Sequence, residues 1–350
     1  MFTVDTMRIF LPALITFLIG LGITPVVAHF LYKYKFWKPK GGKVALDGEA
    51  AAEFNRLHEK KEVGTPRAGG IVVWGSIALC ALLLQTLAKA YPDMFASIDF
   101  ISRSQTWVPL AALFFGAFIG FFDDLFEVRG QGGMRLRTRL IVVFLVSGLC
   151  AWWFYDKLDV SSVSLFTFGT LELGMLLIPA FILVALALYA GAVIDGIDGL
   201  GGGIYSIIFA AYAGIAFFQH QYDIAGLCAA ITGGLLAFLW FNVPPARFYL
   251  SETGTMALTL ALVSVAFLTD VRGEGIGVSV LPIIALPLVV TVLSVMAQLA
   301  SKKFFGRKLL RVAPLHHHFE AIGWPAPKVT MRYWIVGLVA AIIGMSIALL

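Results

Sequence analysis

The chain has 350 residues, 59% of them hydrophobic and 13% charged, against roughly 45–50% and about 25% in ordinary soluble domains. That leaves too few polar groups to cover a water-facing surface, and a mean hydropathy of +0.88 spread along the whole length points to an all-α, polytopic membrane protein. Disorder, collagen, a disulfide scaffold and a nucleic-acid binder are excluded, and the net charge of +5 matters less than where its Lys and Arg lie.

A membrane span needs about 20 predominantly apolar residues. In chain order the runs predict ten: 9–31, 70–88, 107–122, 140–155, 175–193, 203–218, 224–241, 256–269, 278–299 and 333–350. They form one integral membrane domain over 1–350. The first run leads into Lys33, Lys35 and Lys38 without a small-residue cleavage site, as expected of an uncleaved first helix. The segment 38–63 reads as a surface loop or short amphipathic helix. Cys80, Cys150 and Cys228 fall inside apolar runs with no CxxC spacing, so they read as small buried hydrophobes. The loops 32–69, 123–139, 194–202, 242–255 and 300–332 hold 21 of the 26 Lys and Arg. The positive-inside rule makes those loops cytoplasmic and puts both termini outside.

Charged groups near bilayer depth are expensive, so their clustering calls for a reason. Asp123 and Asp124 end the third span, Asp195 and Asp198 the fifth, and Glu252 follows the seventh, all on the predicted cytoplasmic face. As placed by these spans, the acids sit at or beyond helix C-termini, where the macrodipole is already negative. They repel one another unless a cation joins them, and an oxygen-only set without Cys or His suits Mg²⁺ better than zinc. On a helical turn, Asp195 and Asp198 would share a face by their i, i+3 spacing. Acids gathered at one rim, rather than at mid-span, argue against an ion or proton transporter. Two Gly-rich stretches, GTPRAGG (64–70) and DGIDGLGGG (195–203), offer bare N–H groups to phosphate oxygens, though such turns are common between spans. Three consecutive histidines, His316, His317 and His318, cannot all face one ion from a regular helix, which favours hydrogen-bonding roles over a zinc site. Thr291, Ser294 and Gln298 form a polar stripe of the kind that packs helices together.

Taken together, GTPRAGG, FFDD (121–124), DGIDGL (195–200), FNVPPARFYLSETGTMAL (241–258) and APLHHHFEAIGW (313–324) resemble the polyprenyl-phosphate N-acetylhexosamine-1-phosphate transferases over nearly the whole chain. The HHH run is similar to the muramoyl-pentapeptide branch of that family. The resemblance implies a bacterial inner-membrane enzyme with a cytoplasmic site, Mg²⁺ as cofactor, and UDP-MurNAc-pentapeptide and undecaprenyl phosphate as substrates, giving lipid I and UMP in peptidoglycan synthesis. It also allows a homodimer, which the sequence does not specify. Carried over by position, it implies catalytic roles for Asp123, Asp124, Asp195 and His317. Lys61, Thr65, Arg139, Asp198, Asn242, Tyr249, His316 and His318 become substrate-binding residues, and Glu252 with Asp195 the metal ligands.

The chain departs from the family pattern at several of these places. Glu252 stands for the family's Asp, Ala192 for an Asn, Tyr249 for a Phe, Thr291 for a Glu, and Arg67 for a Thr; Arg67 either adds a phosphate contact or blocks the pocket. A one-residue offset leaves Lys60 or Lys61 for the family's Lys. Two alternatives therefore stay open beside the transferase reading: an enzyme for another UDP-N-acetylhexosamine, and a catalytically impaired homologue that binds polyprenyl phosphate.

Overall fold

The structure, a computed structural model, describes residues 2–42, 55–56, 62–102, 105–166, 168–270 and 275–350. Among them are ten helices long and apolar enough to cross a membrane. These are α1 (Phe2–Lys33), α2 (Gly70–Ala90), α3 (Trp107–Val128), α4 (Leu136–Lys157), α5 (Leu177–Gly191), α6 (Leu200–Phe218), α7 (Tyr222–Asn242), α8 (Ser251–Leu268), α9 (Leu286–Phe305) and α10 (Ala326–Ala348). Each lies on one of the expected apolar runs, and ten crossings bring both chain ends out on one face.

The helix ends differ from the expectation in ways that matter for the acids. α3 runs six residues past the predicted 122, so Asp123 and Asp124 lie inside a helix and are fully buried. α8 starts five residues before the predicted 256, so Glu252 lies in its first turn rather than beyond a helix C-terminus. That end of a helix carries the positive pole of the macrodipole, which favours a carboxylate. Asp198 likewise stands just before α6, with Gly199 as N-cap at a φ of 77°. Asp195 and Asp198 do not share a helical turn: Asp195 closes a short 3-10 turn, Ala192–Ile194, and the chain then bends through Gly196 into α6.

A feature the sequence reading lacked is the antiparallel hairpin of β1 (Ser162–Leu165) and β2 (Gly169–Glu172) between α4 and α5. The buried Asp270, after α8, pins it by accepting the N–H groups of Ser164 at 2.7 Å and Val278 at 2.8 Å. The hairpin belongs to the face where both chain ends emerge, opposite the clustered acids.

Helix α8 is the axis of the fold. Every one of its residues except Glu252 is buried, as a helix apolar on all sides requires. It can be surrounded because its neighbours present little side chain. At Gly120 of α3, an added Cβ would fall 2.2 Å from the carbonyl oxygen of Glu252. Small residues let helix backbones approach this closely in a bilayer, where apolar burial no longer drives association. Gly120→Val is therefore expected to destabilise the fold by at least about 1–3 kcal/mol, the usual range for overpacking. A lowered thermal midpoint in detergent would register it; an unchanged midpoint would mean that α3 and α8 can separate freely.

Candidate active site

Residues 242–253, between α7 and the first turn of α8, form the piece to which the other functional segments attach. The side chain of Asn242 accepts the Gly199 N–H at 2.9 Å and donates to the Phe248 carbonyl at 2.8 Å, tying the start of α6 to this segment. The GTPRAGG stretch runs alongside it. The Tyr249 N–H donates to Pro66, the Gly69 N–H to Tyr249, and the Gly70 N–H to Leu250.

All five acids singled out in the sequence meet this segment. Asp198 accepts the Ala246 N–H at 3.2 Å and Asp195 the Ser251 N–H at 2.9 Å. Asp124 accepts the Thr253 N–H at 3.0 Å together with the Thr253 hydroxyl. Asp123 reaches Glu252 through Arg139. The guanidinium binds Asp123 by Nη2 at 2.8 Å and Nε at 3.2 Å, and Glu252 by Nη1 at 2.7 Å. Tyr189 donates to the other Glu252 oxygen at 3.1 Å. The first N–H groups of a helix have no partner within it, so Asp195, from the turn after α5, and Asp124, from within α3, cap α8 from outside. This explains how the carboxylates tolerate one another: Asp195 and Asp124 take helix N-terminal N–H groups, Asp198 a loop N–H, and Asp123 and Glu252 a guanidinium.

A cavity of about 480 Å³ opens here, walled by Arg67, Arg139, Tyr189, Ala192, Asp195, Asp198, Tyr249 and Glu252, among others. Asp123 and Asp124 stand beneath this wall, behind Arg139 and Thr253. Tyr249 hydrogen-bonds Thr65, and burial holds its phenol at about 12, so it stays protonated at physiological pH. Ala192 leaves an apolar patch on the wall where an amide is absent.

The histidines stand behind the Asp195–Asp198 turn. His316 and His317 are buried, their rings 4.3 Å apart between centroids. A Cβ on Gly196 would fall 2.7 Å from the Nε2 of each, so this glycine lets the turn close on them. His317 Nδ1 pairs with Glu320 at 2.8 Å. His318 faces elsewhere and accepts the Arg311 N–H. His316 and His317 thus meet at Gly196, while His318 turns toward the 311 backbone.

The polar stripe on α9 does more than pack helices. Ser294 accepts the Leu315 N–H, and Gln298 accepts from Leu309 and Leu310 while donating to the Leu310 carbonyl, so both hold the loop that presents the histidines. Thr291 only bonds back to Pro287 within its own helix. Lys61 lies outside the described residues, as does Lys60.

Four participants escaped the sequence reading: Lys38, Glu62, Glu127 and Tyr189. Lys38 pairs with Glu127 at 2.8 Å and Glu62 at 3.6 Å. Glu127 takes Arg67 as well, at 2.8 Å. The signal for Glu127 was present, since it follows Asp123 and Asp124 at i+4 and i+3, positions that share a helix face.

The family model for glycosyl transferase family 4 matches residues 106–270. Three relatives carry the name phospho-N-acetylmuramoyl-pentapeptide-transferase. The one from Geobacillus sp. (strain WCH70) is 32% identical over 96% of this chain and 97% of its own length. That of Anoxybacillus flavithermus is 32% identical over 95% of both chains. That of Thermoanaerobacter sp. (strain X514) is 31% identical over 95% of this chain and 96% of its own. With likeness of this extent, and with the family's motifs meeting on one cavity, the chain belongs to the phospho-N-acetylmuramoyl-pentapeptide-transferase family.

Proposed function

We propose that this protein transfers phospho-N-acetylmuramoyl-pentapeptide from UDP-MurNAc-pentapeptide to undecaprenyl phosphate, yielding lipid I and UMP. The observation that carries this reading is that Asp195, Asp198, Tyr249 and Glu252 meet Arg67 and Arg139 on one cavity at the rim opposite both chain ends. The excess of Lys and Arg in the loops of that rim supports reading it as the cytoplasmic side of the membrane. There a soluble nucleotide sugar and a membrane-held lipid phosphate can meet.

In the reaction, a lipid phosphate oxygen attacks the β-phosphorus of the nucleotide sugar. One P–O bond forms at the β-phosphorus, and the bond from that phosphorus to the bridging oxygen breaks, the oxygen leaving with UMP. A phosphate monoester has its second pKa near 6 and is mostly dianionic at neutral pH. The chain's task is thus alignment and charge neutralisation rather than proton removal. Asp198 and Tyr249 suit the uridine end of the cavity, and Arg139 faces the phosphates. His316 and His317, packed on Gly196, set the shape of the Asp195–Asp198 turn toward the sugar.

The residues present fit a divalent cation. Seven carboxylates lie at or beneath the wall (Glu62, Asp123, Asp124, Glu127, Asp195, Asp198 and Glu252), while the cations paired among them are Lys38, Arg67 and Arg139. Among the described residues no group of three or more His, Cys, Asp or Glu forms a metal cage. Mg²⁺ takes one or two carboxylates and fills its other positions with phosphate oxygens and water. Glu252 and Asp195 would hold it, and when bound it supplies charge neutralisation for the diphosphate.

The test is release of UMP by the purified chain in vesicles carrying undecaprenyl phosphate. Release should require UDP-MurNAc-pentapeptide, cease in EDTA and return with Mg²⁺. Turnover with UDP-GlcNAc and none with the pentapeptide donor would assign the cavity to another N-acetylhexosamine; no turnover with either would leave a binding protein.

A further inference from the structure

Two arginines reach the cavity, and their donors are spent differently. A guanidinium has five N–H donors in a planar fork. Arg139 commits three nitrogens to short contacts, Nε and Nη2 on Asp123 and Nη1 on Glu252. Arg67 has one short contact, Nη1 to Glu127 at 2.8 Å. Its approaches to Glu62 at 3.9 Å and Asp124 at 4.0 Å are too long for hydrogen bonds. The acids that hold Arg67 are also shared with a second cation, because Lys38 pairs with both Glu127 and Glu62. An arriving anion therefore meets a guanidinium whose charge is not used up.

The position of Arg67 is fixed by its backbone. Its N–H donates to Phe36 at 2.7 Å, and Pro66 and Gly69, one on each side, bond to Tyr249. The side chain lies on the cavity wall with Tyr249 and leaves the cavity open, so it does not block the pocket.

We infer that Arg67 is a phosphate-binding residue of this cavity, its guanidinium anchored on Glu127 and its spare donors offered to a phosphoryl oxygen of the substrate. This rests on the reading of the cavity as a site for a nucleoside diphosphate and a lipid phosphate, and either could be the source of that oxygen. By contrast, Asp124, fully buried below, acts as a positioning residue for Arg67 and α8.

The full-length protein in nanodiscs, with Mg²⁺ present, would be titrated with UDP, uridine and a short polyprenyl phosphate, comparing wild type with Arg67→Thr and Arg67→Lys. Loss of a hydrogen bond to a charged group should weaken one of the two phosphate ligands about 10- to 100-fold in Arg67→Thr. Uridine affinity should stay within about twofold, since its partners are untouched. Arg67→Lys keeps the charge without the fork and should fall between. It also serves if the Thr variant does not fold. A drop confined to UDP identifies the nucleotide diphosphate as the partner, and a drop confined to the polyprenyl phosphate identifies the lipid. Unchanged affinity for both overturns the inference, as does a parallel fall for uridine, which would mean that Arg67 only braces the pocket. If wild type binds neither phosphate ligand, the functional reading above fails first and takes this inference with it.

Discussion

Arg139→Ala is expected to abolish turnover and to cost about 3–5 kcal/mol of stability, the range found when one partner of a buried ion pair is removed. The reason lies in what the guanidinium joins. Asp123 has no solvent exposure, and Arg139 holds both of its oxygens while also holding Glu252 on another helix. Without it, two carboxylates from α3 and α8 face each other across an empty space with no water to solvate the inner one. Arg139→Lys should recover part of the loss, because an ammonium restores charge but cannot bind Asp123 by two nitrogens and Glu252 by a third. The triple change Arg139→Ala, Asp123→Asn, Glu252→Gln should recover stability without recovering turnover, which separates electrostatic strain from chemistry. Thermal midpoints and UMP release on the same preparations read both quantities. An Arg139→Ala protein that melts like wild type would show that the pair is not stabilising the site.

Much of this arrangement was legible in the sequence, for identifiable reasons. Span number followed from apolar run length, because a bilayer leaves few other ways to satisfy backbone groups than a helix of about 20 residues. The five acids were legible because charge is rare in such runs. Their surroundings were not. Hydropathy alone cannot place Ser251 at a helix start, since LSETGT is too polar to extend an apolar run. The first turn of α8 is instead stabilised by Asp195 and Asp124 from distant parts of the chain. The same limit hid Tyr189 and Glu62, whose roles depend on which helices meet rather than on local pattern. The α9 stripe reads from the sequence only as generic packing, because nothing in the residues themselves indicates that Gln298 faces the backbone of 309–310. The hairpin at 162–172 fell between spans in a stretch too short and mixed for a strand signal to stand out.

Asp195→Asn is expected to lower turnover by about 10²–10³-fold, the range for removing one preorganised electrostatic contact, while leaving the protein folded. Geometry separates the two consequences. In its structural role Asp195 accepts the Ser251 N–H at 2.9 Å, and the amide oxygen of Asn can accept it too. Asn is as well suited as Asp to receive a helix N-terminal N–H, so α8 should keep its start. The negative charge is what the substitution removes. On the cavity wall that it shares with Glu252, where a divalent cation and a diphosphate would meet, that charge has no neutral substitute. UMP release and thermal midpoint, measured on one membrane preparation, should therefore part company: turnover falls and the midpoint holds. Near-normal turnover would reduce Asp195 to a helix cap, and a collapsed midpoint would show that the cap needs the charge itself. In Asp124→Asn the ordering should reverse. That carboxylate is sealed under Thr253 and Arg67 and away from the cavity, so its loss should reach chemistry only through the groups it holds in place.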